Sequence, residues 1–193
     1  NSIKFKLGLK NLLITFHPVT LENSTSAQQM GELLRALENL EDTHLIFTMP
    51  NSDTDGRVLF QMIDDFVLKH AQAKVFKSLG QLRYLSCIKY VDGVVGNSSS
   101  GLAEVPSFKK GTINIGDRQR GRLKAISVID CEPNEPSISS AIKKLYSADY
   151  QNRLTTVKNP YGCGGASESI VNILNDVSLD GLLKKRFYNL NQR

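Results

Sequence analysis

The stretch YVDGVVGNSSSGLAEV, residues 90–105, decides the fold prediction because it contains a strand, a loop and a helix start in succession. Its first part, YVDGVV, contains a short β-branched run typical of a strand buried in a parallel sheet. The small residues GNSSSG follow at once, and GLAEV can start a helix. A strand, a small-residue loop and a helix start together form a common anion site. The stretch therefore predicts an α/β fold with an anion-binding strand end.

Strand and helix signals alternate on both sides of this stretch. Short runs rich in Val, Ile and Phe predict strands at 12–16, 43–49, 73–77, 92–97, 111–116 and 126–131. Apolar residues at three- and four-residue spacing, or the position between strands, predict helices at 25–41, 57–71, 81–90, after the serines, 137–148 and 167–177. This alternation specifies one doubly wound, Rossmann-like parallel sheet of about six strands, in a single domain spanning residues 1–193.

Composition and charge exclude two classes of protein. Hydrophobic residues make up 40% of the 193, and no apolar run approaches the roughly 20 residues of a membrane span. The net charge of +5 is concentrated at 118–124 and 184–186, and tryptophan is absent, which does not fit a nucleic-acid surface. The three cysteines form no CxxC pair, which favours reduced thiols in the cytoplasm. We predict a cytoplasmic protein without a metal site.

Polar residues follow four of the predicted strands, and ligands bind at the carboxyl ends of such strands. His17 follows the first strand, Asn51 the second, residues 77–80 the third and the serine loop the fourth. A lone histidine at such a place is also compatible with a purely structural role. The segment NSDTDG, 51–56, lacks the glutamate that closes a calcium loop, so we predict a turn there.

The serine loop and Glu104 together indicate a nucleotide. Serine hydroxyls and the free N–H groups of a helix N-terminus can donate to phosphate oxygens. A carboxylate such as Glu104 has only acceptor lone pairs and therefore suits the two hydroxyl donors of a ribose. The alternative is that the loop is an ordinary helix cap after a strand, which is common in structures without a ligand.

Five motifs occur in the order found in hydrolysing UDP-N-acetylglucosamine 2-epimerases: FHPVT, PNSD, GNSSSG with its trailing glutamate, NIGDRQRGR and NPYGCGGASESIVNIL. The chain resembles this family from about residue 12 to residue 177. The resemblance implies formation of N-acetylmannosamine and UDP from UDP-N-acetylglucosamine, for sialic-acid-type sugars, without a cofactor.

The same resemblance implies how the chain relates to a whole enzyme. The family has two Rossmann-like domains in the GT-B arrangement, and this chain resembles only the C-terminal one. We therefore expect an N-terminal domain elsewhere in the same protein, a homo-oligomer at full length, and no activity in the isolated fragment. Two alternatives stay open, namely a GT-B glycosyltransferase half and a non-catalytic UDP-binding module.

Residue roles follow from matching the family motifs to this sequence. The resemblance implies a catalytic role for His17 and nucleotide contacts by six residues, which are Asn51, Leu79 near the uracil, Ser98 and Ser99 on the diphosphate, Glu104 on the ribose, and Arg118 after the fifth strand.

Overall fold

The computed structural model describes residues 4–19, 25–50, 56–181 and 183–184. The chain divides into two compact units, Asn1–Tyr161 and Gly162–Arg193. The first unit contains the sheet, and the second contains one described helix, Ala166–Asp176. The prediction of one domain over all 193 residues stays a prediction.

Six parallel strands form the sheet, in the order β3-β2-β1-β4-β5-β6. Their bounds are β1 Lys10–Thr15, β2 Thr43–Thr48, β3 Ala73–Phe76, β4 Gly93–Gly96, β5 Gly111–Ile115 and β6 Val128–Cys131. This is the strand order of the doubly wound Rossmann sheet. The predicted fold class is therefore confirmed.

The helices of the first unit connect these strands. Their bounds are α1 Ser26–Glu38, α2 Gly56–Lys69, α3 Gly80–Tyr90, α4 Ser100–Ala103, α5 Glu135–Leu145 and α6 Ala148–Leu154, and the helix of the second unit is α7 Ala166–Asp176. We predicted a single helix over 137–148, but it ends at Leu145 and α6 begins three residues later. The reason is local, because the Ser147 side chain accepts the Tyr150 N–H and caps a new helix.

The helix after the serine loop is much shorter than the sequence pattern predicted. α4 has only four residues, and a 3₁₀ turn, Val105–Phe108, replaces its continuation. Pro106 explains the change, since proline has no N–H to donate and its ring disfavours an α conformation at the residue before it. Glu104 therefore lies at the end of α4 rather than inside a longer helix.

Side chains alternate between two hydrophobic layers across the sheet, as the strand period requires. Leu12 and Ile14 of β1 belong to the larger cluster, which includes buried residues of α1, α2 and α5. Leu13, between them, belongs to the smaller cluster with Ile88 of α3. Both faces of β1 are therefore covered, and polar residues of this central strand reach a ligand only from its ends.

The strand order reverses between β1 and β4. The chain moves from β1 outward to β3 on one side, then returns to β4 on the other side and continues to β6. Thr15 of β1 pairs with Thr48 of β2 and with Gly96 of β4. A doubly wound sheet opens a crevice at such a reversal, beyond the carboxyl ends of its strands. In the part of the chain described, no helix is long and apolar enough to cross a membrane.

Candidate functional site

A cavity of about 980 Å³ lies at this crevice. Thr15 and Thr48 line it from the ends of β1 and β2, and residues 77–81 line it from the loop after β3. Ser98, Ser100 and Glu104 line it from the serine loop and α4. Of the seven residues predicted from sequence, the cavity thus brings Leu79, Ser98 and Glu104 together.

The serine loop can bind an anion mainly through its hydroxyl groups, because the dipole and free N–H groups of α4 contribute little. The N–H groups of Gly101 and Leu102 already donate to the carbonyls of Ser98 and Ser99, at 3.1 and 3.0 Å. A helix of four residues also has too few aligned peptides for a large dipole. Ser99 precedes α4 and is not among the residues that line the cavity, whereas Ser100 is.

Glu104 is held in place by its own helix. The Ser100 hydroxyl donates to Glu104 Oε2 at 2.5 Å, one helical turn away. This bond uses only part of the acceptor capacity of the carboxylate, which has two oxygens and about four lone-pair sites. Glu104 is half-buried and faces the cavity, so the remaining lone pairs can accept from a ligand.

His17 and Arg118 lie on the loops after β1 and β5, and both contact Asn97. The His17 main chain is bonded on both sides by the Asn97 side chain, and Arg118 Nη1 donates to the Asn97 carbonyl at 3.1 Å. Neither residue is among those that line the cavity. Asn51 lies outside the described residues.

Tyr84 of α3 also lines the cavity. Its hydroxyl is buried and has no hydrogen-bond partner of normal geometry in the described part of the chain. Burial raises the pKa of this phenol, and the nearby hydroxyls of Ser100 and Thr15 offset only part of that rise. The Tyr84 hydroxyl therefore stays protonated near neutral pH. Because buried hydroxyls normally have a hydrogen-bond partner, its lack of one of normal geometry is unusual.

A second cavity, of about 530 Å³, lies beyond β5 and β6. Arg120 and Lys124 line it, but so do Asp117, Asp130 and Glu132, and Lys124 Nζ already lies 2.8 Å from both oxygens of Asp130. Cys131 is also there, and burial with the neighbouring carboxylates raises its pKa to about 12. Its thiol stays protonated near neutral pH and is a poor nucleophile. This cavity suits an anion less well than the first.

The family model described as UDP-N-acetylglucosamine 2-epimerase matches residues 2–175. The chain belongs to this epimerase family. Two curated relatives are similar to it over most of its length. A GDP/UDP-N,N'-diacetylbacillosamine 2-epimerase (hydrolyzing) of Campylobacter jejuni is 38% identical over 98% of this chain and 49% of its own length. The polysialic acid biosynthesis protein P7 of Escherichia coli is 37% identical over 85% of this chain and 42% of its own.

Solved structures of epimerases share the fold. The S. aureus MnaA–UDP structure has a TM-score of 0.70 and 19% identity, and the match covers 86% of this chain and 44% of that one. At that identity the likeness concerns the fold alone. This epimerase-family chain spans about half the length of the curated relatives that it matches.

Tyr84, Thr15 and Thr48 line the first cavity as well, and none of the three is among the residues predicted from sequence. Tyr84 lies three and four residues before the buried Cys87 and Ile88, so its position predicts an ordinary core contact. Thr15 and Thr48 have hydroxyls 2.9 Å apart on neighbouring strands. Both threonines stand at the carboxyl ends of strands, and this position alone was enough to predict them as cavity residues. The roles assigned to His17, Asn51, Leu79, Ser98, Ser99, Glu104 and Arg118 stay predictions.

Proposed function

We propose that this chain is the UDP-binding C-terminal half of a hydrolysing UDP-N-acetylglucosamine 2-epimerase. The observation that carries the proposal is the 980 Å³ cavity, which joins serine hydroxyls, a carboxylate and an apolar wall at the strand reversal of a chain in this family. The family match favours this reaction over glycosyl transfer by an enzyme of the same architecture.

The cavity residues suit the parts of UDP. The Ser98 hydroxyl can donate to a diphosphate oxygen. The single Ser100 proton is already donated to Glu104 Oε2, and the free lone pairs of Glu104 can accept from the ribose hydroxyls. Leu79 is 6% exposed and its side chain packs in the smaller hydrophobic cluster, so we assign the contact with the base to the backbone near Ser78 and Leu79.

The proposed reaction has two steps. Anti elimination removes the C2 proton to a base and breaks the C1–O bond, so that the bonding electrons leave with UDP and 2-acetamidoglucal forms. Water then adds across the double bond, so that C1 gains a hydroxyl and C2 gains a proton. This proton arrives on the face of C2 opposite to the one from which the first proton left, and N-acetylmannosamine results. The first step needs a base and positive charge for the departing diphosphate. His17 and Arg118 serve the departing diphosphate in this proposal, and the N-terminal half supplies the catalytic carboxylates.

Three further properties belong to the proposal. The whole protein acts in the cytoplasm, it forms a homo-oligomer, and the chain alone lacks turnover because half of the cleft is on the N-terminal domain. Turnover of UDP-N-acetylglucosamine, assayed in a protein that carries both halves, tests the reaction. Release of UDP together with N-acetylmannosamine supports it, and transfer of the sugar to an acceptor would support a glycosyltransferase.

We expect the chain by itself to bind UDP in preference to ADP. The backbone near Leu79 is the part of the cavity that we assign to uracil, and Ser98 and Glu104 suit the phosphates and ribose. The dissociation constant should lie between micromolar and millimolar, which corresponds to a binding free energy of about 4 to 8 kcal/mol in favour of the complex. The expected affinity is this low because, in our proposal, the N-terminal domain forms the other half of the cleft. Isothermal titration calorimetry with UDP, UMP and ADP measures it. Equal affinity for ADP would remove the uracil assignment at Leu79.

We expect Glu104→Gln to weaken UDP binding by roughly tenfold or more, since a hydrogen bond to a charged group contributes about 1.5–3 kcal/mol. The amide keeps one acceptor oxygen where the carboxylate has two. Calorimetry with UDP and with 2′,3′-dideoxy-UDP checks the assignment to the ribose. The dideoxy ligand should bind parent and variant alike, and a penalty that persists without the diol contradicts a ribose contact. Glu132→Gln, in the second cavity, is the matched control and should leave UDP affinity unchanged.

A further inference from the structure

The Asn97 side chain is bonded to the main chain of His17 on both sides. The His17 N–H donates to Asn97 Oδ1 at 2.7 Å, and Asn97 Nδ2 donates to the His17 carbonyl at 2.8 Å. The peptide groups determine which way the amide points, because an N–H needs an acceptor and a carbonyl needs a donor. The Asn97 side chain thus bonds the His17 backbone in the way that a paired strand would, beyond the point where the pairing of β1 ends at Thr15.

The main chain of Asn97 is bonded to two other segments. Its N–H donates to the Thr15 carbonyl at 3.2 Å. Its carbonyl accepts from Gln119 Nε2 at 2.8 Å and from Arg118 Nη1 at 3.1 Å. Asn97 therefore joins three loops, after β1, β4 and β5, and the two outer loops carry His17 and Arg118.

Both amide residues of this junction are almost fully buried. Asn97 and Gln119 are each 1% exposed, so water competes little with their hydrogen bonds. Two such bonds to one peptide segment restrict the backbone of the loop after β1 at His17. The register of β1 with β2 and β4 ends at Thr15, two residues before His17.

We propose that Asn97 is a positioning residue, which sets the orientation of His17 and Arg118 for the departing diphosphate. This inference rests on the proposed epimerase reaction and assigns Asn97 no contact with the substrate. Removal of the Asn97 side chain breaks both of its bonds to the His17 main chain. The Ser98 and Ser100 hydroxyls stay in the cavity, and the Asn97 carbonyl can still accept from Arg118. The main effect is therefore on the position of His17.

Asn97→Ala should lower kcat about 10²-fold, since a displacement of about 1 Å at a catalytic group costs that much. UDP affinity should change by less than about threefold, since nucleotide contacts made equally in ground and transition states are untouched. Asn97→Asp keeps the acceptor for the His17 N–H and loses the donor, so its kcat should lie between those of Asn97→Ala and the parent. The protein with both halves is used for kcat, and calorimetry gives the affinity.

Amide hydrogen exchange of His17 in the same preparations reports the junction directly. Its N–H should lose protection in Asn97→Ala and keep it in Asn97→Asp. The matched control is Asn114→Ala on β5, where an equally buried asparagine donates at 2.7 Å to Oδ1 of Asp130, a residue of the second cavity. It should lower thermal stability while kcat and His17 protection stay unchanged.

The outcomes separate this inference from the proposed function. A parent protein that turns over no UDP-sugar overturns the epimerase reaction and, with it, the catalytic purpose of the junction. Normal kcat in an Asn97→Ala variant whose His17 amide exchanges freely overturns the positioning role alone. If Asn97→Ala does not fold, the kcat of Asn97→Asp decides the question: a value below that of the parent supports the positioning role, and a value equal to that of the parent overturns it.

Discussion

His17→Asn is expected to lower the turnover number of the two-domain protein by roughly 10²–10⁴-fold, the usual range for an acid–base group. An unperturbed histidine titrates near pH 6.5, so it can carry positive charge toward a departing diphosphate or exchange a proton near neutral pH. Asparagine can keep a hydrogen bond but cannot do either. UDP affinity and thermal stability should stay close to those of the parent, because the main-chain bonds of His17 to Asn97 do not involve the replaced ring.

Turnover and melting temperature measured on one preparation distinguish this role from a structural one. If His17 only braces its loop, the variant melts at a lower temperature and keeps most of its turnover, which removes His17 from the catalytic residues. His44→Asn is the matched control. His44 is a histidine of β2 whose Nδ1 lies 2.9 Å from the Lys6 carbonyl, far along the strand from the cavity. This substitution should leave turnover unchanged.

Gly96→Ala is expected to lower the free energy of unfolding by about 3 kcal/mol or more, or to prevent folding. Gly96 ends β4 with a φ of +143°, which L-residues rarely adopt, and an added Cβ would lie 1.9 Å from the Thr15 carbonyl oxygen. That oxygen belongs to the backbone of the central strand, so it cannot turn away as a flexible side chain could. β1 and β4 would have to separate at the strand reversal where the cavity opens.

A second glycine isolates the cost of the clash from the cost of the backbone conformation. Gly121 has a φ of +79°, and nothing lies within 4 Å of the Cβ that alanine would add. Gly121→Ala should therefore cost only about 1–2 kcal/mol, the penalty for a left-handed conformation. Chemical denaturation of both variants measures the difference. Equal losses in the two variants would show that β1 and β4 are not tightly apposed at Gly96.

The periodicity of the sequence was sufficient to predict the strands and the fold class. Each strand is a short run rich in Val, Ile, Leu or Phe, and the first and last residues observed for each strand differ from those predicted by at most two positions. Such patterns are local, because burial of both faces of a strand or one face of a helix is decided within a few residues. The same reasoning placed residues 77–80 and the serine loop at one edge of the sheet, since both follow a strand and strand ends of a parallel sheet meet there. The resemblance to the epimerase family singled out Leu79 within the first of these segments.

Only the tertiary structure revealed the contacts that Asn97, Tyr84 and Gln119 make with other segments. Asn97 has the sequence context of a loop residue, yet its side chain bonds a residue 80 positions away. Tyr84 has the spacing of a core residue, and it also lines the cavity together with residues of the serine loop. The early end of α4 at Pro106 likewise sets where Glu104 stands. Local patterns specify which segments become strands and helices, whereas contacts between distant loops depend on strand order, which places β4 beside β1 and not beside β3.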